Sequence, residues 1–175
     1  WTAKKRYILN VWDNEGVQYK DAQLKIMGIE AVKSSTPAPC REKIKQGLKI
    51  IMSGTEKELN VFIQEFRKEF MELPPEDIAY PRSVNGLSKF SDPSQLFAKG
   101  APIHCKGAIL YNHLVRKNKL GNKYPFIQEG DKIKFLHLKS PNIYQCSSIS
   151  FMTRLPEELQ LYNSIDYDTQ FEKSF

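Results

Sequence analysis

The chain has 175 residues, 41% of them hydrophobic and 26% charged, enough for one globular domain or for one domain and part of another. No apolar run approaches the roughly 20 residues a membrane-spanning helix needs, which argues against a membrane partner. The net charge of +6 fits a polyanionic partner. Cys40, Cys105 and Cys146 are odd in number and widely spaced, as expected of reduced, buried thiols and not of a disulfide framework or zinc site.

In chain order, Arg6–Asp13 reads as a strand, because β-branched and aromatic residues alternate along it. Asp13-Asn14-Glu15-Gly16 is turn chemistry, with Asn and Gly tolerating positive φ. Val17–Tyr19 then returns as the second arm of a hairpin, and Leu24–Gly28 forms a separate extended stretch. Thr36-Pro37 reads as a helix start capped by the threonine hydroxyl, with Cys40, Ile44, Leu48 and Ile51 on one face. Gly54 ends that helix. Thr55-Glu56-Lys57-Glu58 opens the next as a capping box, and Leu59, Phe62, Ile63, Phe66, Phe70 and Leu73 form its apolar stripe up to Pro74-Pro75. Residues 75–100 read as loop. A third helix is predicted from about Pro102 to Lys117. Lys132–Leu138 is expected as a strand with a solvated cationic face, pairing with another near Ser147–Met152. The last twenty residues read as broken helix.

The charges are unevenly spread. Acidic residues gather between Glu56 and Glu72. Basic ones gather in Lys4-Lys5-Arg6, in Arg116-Lys117-Asn118-Lys119, and at Lys123, Lys132, Lys134 and Lys139. No glycine-rich phosphate loop, His-Glu-x-x-His or Gly-x-Ser-x-Gly motif is present, and His104, His113 and His137 stand singly. Asp166 and Asp168 could hold Mg²⁺ if they lay on a strand. The residues after them read as helix, where positions two apart diverge. No catalytic and no metal-binding residue is therefore assigned. Lys5 and Tyr7 are two apart on the predicted first strand and so share a face. A cation and a hydroxyl placed there can reach the purine N3 and pyrimidine O2 acceptors of a duplex minor groove, which report pairing geometry without reading sequence.

The segments Trp1–Asp13, Leu24–Glu30 and Lys33-Ser34-Ser35-Thr36-Pro37 resemble the family B DNA polymerases of T-even-like phages, in the stretch from the last palm strands into the thumb. Pro102-Ile103-His104, Lys106-Gly107, Tyr111-Asn112 and Glu129–Ile133 are similar to that thumb as well. The resemblance implies an α+β fold, with a short antiparallel palm hairpin leading into a mainly helical thumb with a small β-element. It places the palm edge at residues 1–33 and the thumb at 34–175. It implies primer–template duplex DNA as the partner. Lys5 and Tyr7 would be minor-groove contacts, with Lys4 and Arg6 adding positive potential. Ser34, Ser35 and Thr36 would form the turn nearest the DNA backbone, and Ser83, Lys89 and Lys106 would be phosphate contacts. Phe90 stands where the family tends to carry Tyr, so any hydroxyl contact is lost there.

In that family the metal-binding aspartates precede the Lys-Lys-Arg-Tyr motif. With the chain opening at Trp1, the expectation is an inactive piece of a longer polymerase. It would hold no cofactor itself. The parent would use Mg²⁺, carry further palm, fingers and exonuclease domains, engage a sliding clamp and act in the host cytoplasm. Two other readings stay open at this level: a freestanding nucleic-acid-binding accessory protein sharing the thumb pattern, and a metal-dependent nuclease built on Asp166 and Asp168.

Overall fold

The computed structural model describes residues 6–175. The fold is α+β, a β-hairpin followed by helices and a second small sheet. The chain divides into two compact units between Glu69 and Phe70.

The first unit opens with β1 (Tyr7–Asn14) paired antiparallel to β2 (Val17–Met27), Tyr7 standing opposite Met27. The connecting turn puts Glu15 at φ 54° and Gly16 at φ 90°, the pair of positive values a two-residue hairpin requires. Asn14 is thus the last strand residue, and Asp13 closes the turn by accepting the Gly16 N–H at 2.9 Å. The two extended pieces expected after the turn are one continuous 11-residue strand. A register shift between Val11 and Asp13 absorbs the polar stretch that separates them in sequence. No described hairpin residue is fully buried. Ala22, Leu24 and Ile26 are half-buried and alternate with exposed neighbours, so one apolar face is only partly covered.

A 3₁₀ turn at Glu30–Val32 leads to α1 (Ala38–Ser53) and α2 (Glu56–Glu72). The expected Thr36 cap is corrected by the structure. Pro37 occupies the N-cap, no side chain caps the helix, and Thr36 is buried with its N–H bonded to the Lys33 carbonyl at 3.2 Å. Pro37 and Pro39 bring no N–H, so the first turn has fewer donors to satisfy. On α1 Ile51 is 59% exposed, so the buried stripe of that helix does not extend to it. The capping box does form: the Thr55 N–H reaches Glu58 Oε2 at 2.8 Å, and the Glu58 N–H reaches Thr55 Oγ1 at 3.3 Å. Phe66 is fully buried, with Lys43 Nζ 5.5 Å from its ring centre.

The second unit holds an antiparallel sheet of order β3-β4-β5, built from Tyr80–Ser83, Lys132–His137 and Ser148–Phe151. β3 lies inside the region read as loop, flanked by the one-turn helices α3 (Pro75–Ile78) and α4 (Leu87–Phe90). Its Pro81 is tolerated because β3 is an edge strand. The solvated cationic face expected of β4 is reduced to Lys132 at its start. Lys134 is half-buried and donates to the Glu76 carbonyl at 3.2 Å, and Leu136 and His137 are buried. All four β5 residues are buried, so both faces of that strand are covered. α5 (Ile103–Lys117) packs on β5, where Ser148 Oγ donates to the Ile103 carbonyl at 2.6 Å and Ser150 Oγ to the His104 carbonyl at 2.8 Å.

After two 3₁₀ turns, α6 (Tyr167–Ser174) packs on β4 through a satisfied buried polar network. Gln170 Nε2 donates to the Ile78 carbonyl at 2.7 Å, and its Oε1 accepts the His137 backbone N–H at 3.1 Å. Tyr80 donates to the Gln170 carbonyl at 2.8 Å. Phe70 stacks edge-on against Phe171 at 5.3 Å. Cys40, Cys105 and Cys146 are all buried. No helix among the described residues is long and apolar enough to cross a membrane.

Candidate nucleic-acid interface

Lys4 and Lys5 lie outside the described residues, so the shared face expected of Lys5 and Tyr7 has one described member. Tyr7 is half-buried and opens β1. Arg6, just before it, is exposed, and one of its guanidinium nitrogens reaches both Glu30 carboxylate oxygens, at 3.0 and 2.8 Å. Lys33 Nζ donates to the same Glu30 Oε1 at 2.8 Å. The Lys33 hydrogen bond, followed by Glu30's own backbone N–H and the Arg6 charge, holds the Glu30 carboxyl below its ordinary pKa. Exposed ion pairs contribute at most about 1 kcal/mol each, so this triad supplies placement more than stability. Ser34, exposed, and Ser35, half-buried, follow Lys33 in the turn before α1. Arg6, which precedes Tyr7, and Lys33, which precedes Ser34 and Ser35, therefore meet on one carboxylate, while Thr36 is buried.

The second unit gathers the other three candidates around the β3–α4 loop. Ser83 ends β3 opposite Lys132, and both are exposed. The next residues are clamped, with the Val84 N–H on the Asp131 carbonyl at 2.9 Å and the Gly130 N–H on the Val84 carbonyl at 2.8 Å. The Glu129 carboxylate accepts from Gly86 and Leu87, the latter at 2.7 Å, and so closes the start of α4. Gly86 sits at φ 82°, where a side chain would be strained. Lys89 Nζ lies 5.6 Å from the Phe90 ring centre, and Lys106 Nζ lies 5.3 Å from that of Phe97. The two phenylalanines are held together by the Ala98 N–H bonding the Phe90 carbonyl at 2.7 Å. Cys105 anchors α5 to this loop by donating to the Asn85 carbonyl at 3.5 Å, and burial raises its thiol pKa.

Sequence reasoning missed the exposed Arg82 beside Ser83, whose guanidinium lies 6.0 Å from the Phe135 ring. Only the pairing of β3 with β4 brings Lys132 opposite Ser83, the neighbour of Arg82. Conversely, Lys123 is ion-paired with Glu158, whose Oε2 also accepts from the Tyr124 hydroxyl at 2.8 Å. Asp166 is the N-cap of α6, accepting the Thr169 N–H at 3.0 Å and the Thr169 hydroxyl at 2.7 Å. Among the described residues no group of three or more His, Cys, Asp and Glu is placed to hold a metal ion.

No family model matches the chain. Two curated proteins are similar to it along its whole length: the DNA-directed DNA polymerase of Enterobacteria phage T4, 32% identical over 179 residues, and that of Escherichia phage RB69, 34% identical over 179 residues. The match covers 100% of this chain and 19% of each relative, so the chain spans about a fifth of their length. The chain is thus related, from one end to the other, to a segment of phage DNA-directed DNA polymerases.

Proposed function

We propose that this chain is the duplex-gripping part of a phage replicative DNA polymerase of family B, with residues 1–33 as palm edge and 34–175 as thumb. The observation that carries the reading is the similarity of both phage polymerases to this chain over all of its 175 residues. Two features of the structure support it. The half-covered apolar face of the hairpin is what a strand pair from a larger sheet would present. The exposed candidates, Arg6, Ser34 and Ser83 together with Arg82 and Lys132, offer cations and hydroxyls at turns and strand ends, and Lys89 adds a cation on the one-turn α4, all groups that make phosphate contacts.

On this reading the chain binds primer–template duplex through phosphates and leaves the chemistry, with its Mg²⁺, to carboxylates elsewhere in the polymerase. Palm, fingers and exonuclease domains and a sliding clamp would be its partners in the host cytoplasm. Fluorescence anisotropy with a labelled primer–template tests the proposal. The logarithm of the binding constant should fall linearly with the logarithm of salt concentration, since each neutralised phosphate releases counterion. Affinity independent of salt would refute phosphate-led binding. With Mg²⁺ and nucleotides the chain alone should not extend the primer, and extension would show that it contains catalytic carboxylates after all.

A further inference from the structure

Glu30 accepts from two cations that come to it from different parts of the chain. Arg6 is 24 residues away in sequence and directly precedes Tyr7, and Lys33 directly precedes Ser34. The carboxylate itself stands on a run of consecutive turns: the Val32 N–H bonds Ile29 O at 3.0 Å, Lys33 N–H bonds Glu30 O at 3.2 Å, and Thr36 N–H bonds Lys33 O at 3.2 Å. One side chain therefore ties the start of β1 to the turn that enters α1. An acid between two cations is, on charge alone, a poor choice for a surface that meets phosphates.

We propose that Glu30 is a positioning residue of the DNA grip, fixing Arg6 and Lys33 on one carboxylate so that Tyr7 and Ser34–Ser35 meet the duplex together. This rests on the duplex-binding reading above. Charge and geometry then predict effects of opposite sign. Glu30→Gln removes a negative charge, so a purely electrostatic surface would bind DNA more tightly. If Glu30 positions the contacts, the same substitution weakens binding. Glu30→Asp keeps the charge and shortens the reach by one methylene, so charge alone predicts no change while positioning predicts a loss.

The test measures duplex binding of the wild-type chain, Glu30→Gln and Glu30→Asp by anisotropy, and amide hydrogen exchange of each without DNA. Both variants should bind roughly three- to tenfold more weakly, with faster exchange at Tyr7–Leu9 and at Ser34–Thr36. Tighter or unchanged binding by Glu30→Gln overturns the proposal, as does unchanged exchange in both segments. A wild-type chain that shows no salt-dependent duplex binding refutes the functional reading instead. The exchange data then still decide whether Glu30 locks the two segments together.

Discussion

A Cβ on Gly107 would lie 2.5 Å from the hydroxyl oxygen of Ser150, so α5 reaches β5 only because residue 107 has no side chain. The close approach is what lets Ser148 and Ser150 donate to the Ile103 and His104 carbonyls, filling the interface with satisfied hydrogen bonds.

Gly107→Ala is therefore expected to destabilise the second unit. Helix propensity favours Ala over Gly by about 1 kcal/mol, but overpacking of a buried contact costs about 1–3 kcal/mol, and the Ser150 backbone nitrogen at 2.8 Å cannot rotate aside. A urea melt should show a lower midpoint in the variant. Adding Ser150→Ala should not restore it, because the backbone clash remains. A wild-type midpoint would mean that the helix can shift without loss.

His137 is buried, and burial pushes its pKa below the ordinary 6.5. Gln170 Oε1 lies 2.7 Å from His137 Nδ1, and because the Gln170 amide nitrogen is committed to Ile78, the proton of the neutral ring sits on Nδ1. The folded state then prefers the neutral ring. Its stabilising contribution is complete above pH 6.5 and is lost as pH falls through the lowered folded value. Urea midpoints should decline on acidification below that pH, and less steeply in His137→Asn. The half-buried His104, also lowered by burial, would supply the remaining slope. Identical slopes would rule out His137 as a source.

Asp166 serves as a helix cap, so Asp166→Ala should cost about 0.5–2 kcal/mol and Asp166→Asn much less. The Thr169 hydrogen bonds hold the Asp166 carboxyl below its ordinary 3.8, so the cap is at full strength above that pH and weakens as pH falls through the lowered value. Thermal melts of the two variants check the ranking. If instead both lost equal stability, and Mg²⁺ shifted the Asp166 and Asp168 resonances of the wild type, the carboxylates would be a metal site.

Glu158 is held to a pKa of about 2, first by its hydrogen bond from Lys123, then by its own backbone N–H and the Tyr124 hydroxyl. The tie is complete above the ordinary 4.5 and is lost as pH falls through about 2. NMR titration of the carboxyl carbon should give that low midpoint, moving back toward 4.5 in Lys123→Met. A wild-type midpoint near 4.5 would mean that Lys123 is a free surface cation.

What the sequence determined by itself was local. The capping box at Thr55–Glu58, the start of α5 at Pro102, the hairpin turn and the phenylalanines of α2 follow from rules that span four to seven residues. The run from Trp1 to Pro37 also carried the resemblance to phage polymerases, which the full-length similarity supports. Tertiary structure decided what those rules do not reach. β3 is an edge strand whose hydrogen bonds come from β4, about fifty residues away, so a Pro-interrupted stretch showed no local signal. Lys123 and Lys134 looked like free cations until folding brought Glu158 and the Glu76 carbonyl to them. The meeting of Arg6 and Lys33 on Glu30 is likewise a matter of register, because pairing Tyr7 with Met27 is what carries Arg6 to the turn that follows β2. Local chemistry placed the elements, and long-range pairing chose which of their charges stay free to meet a partner.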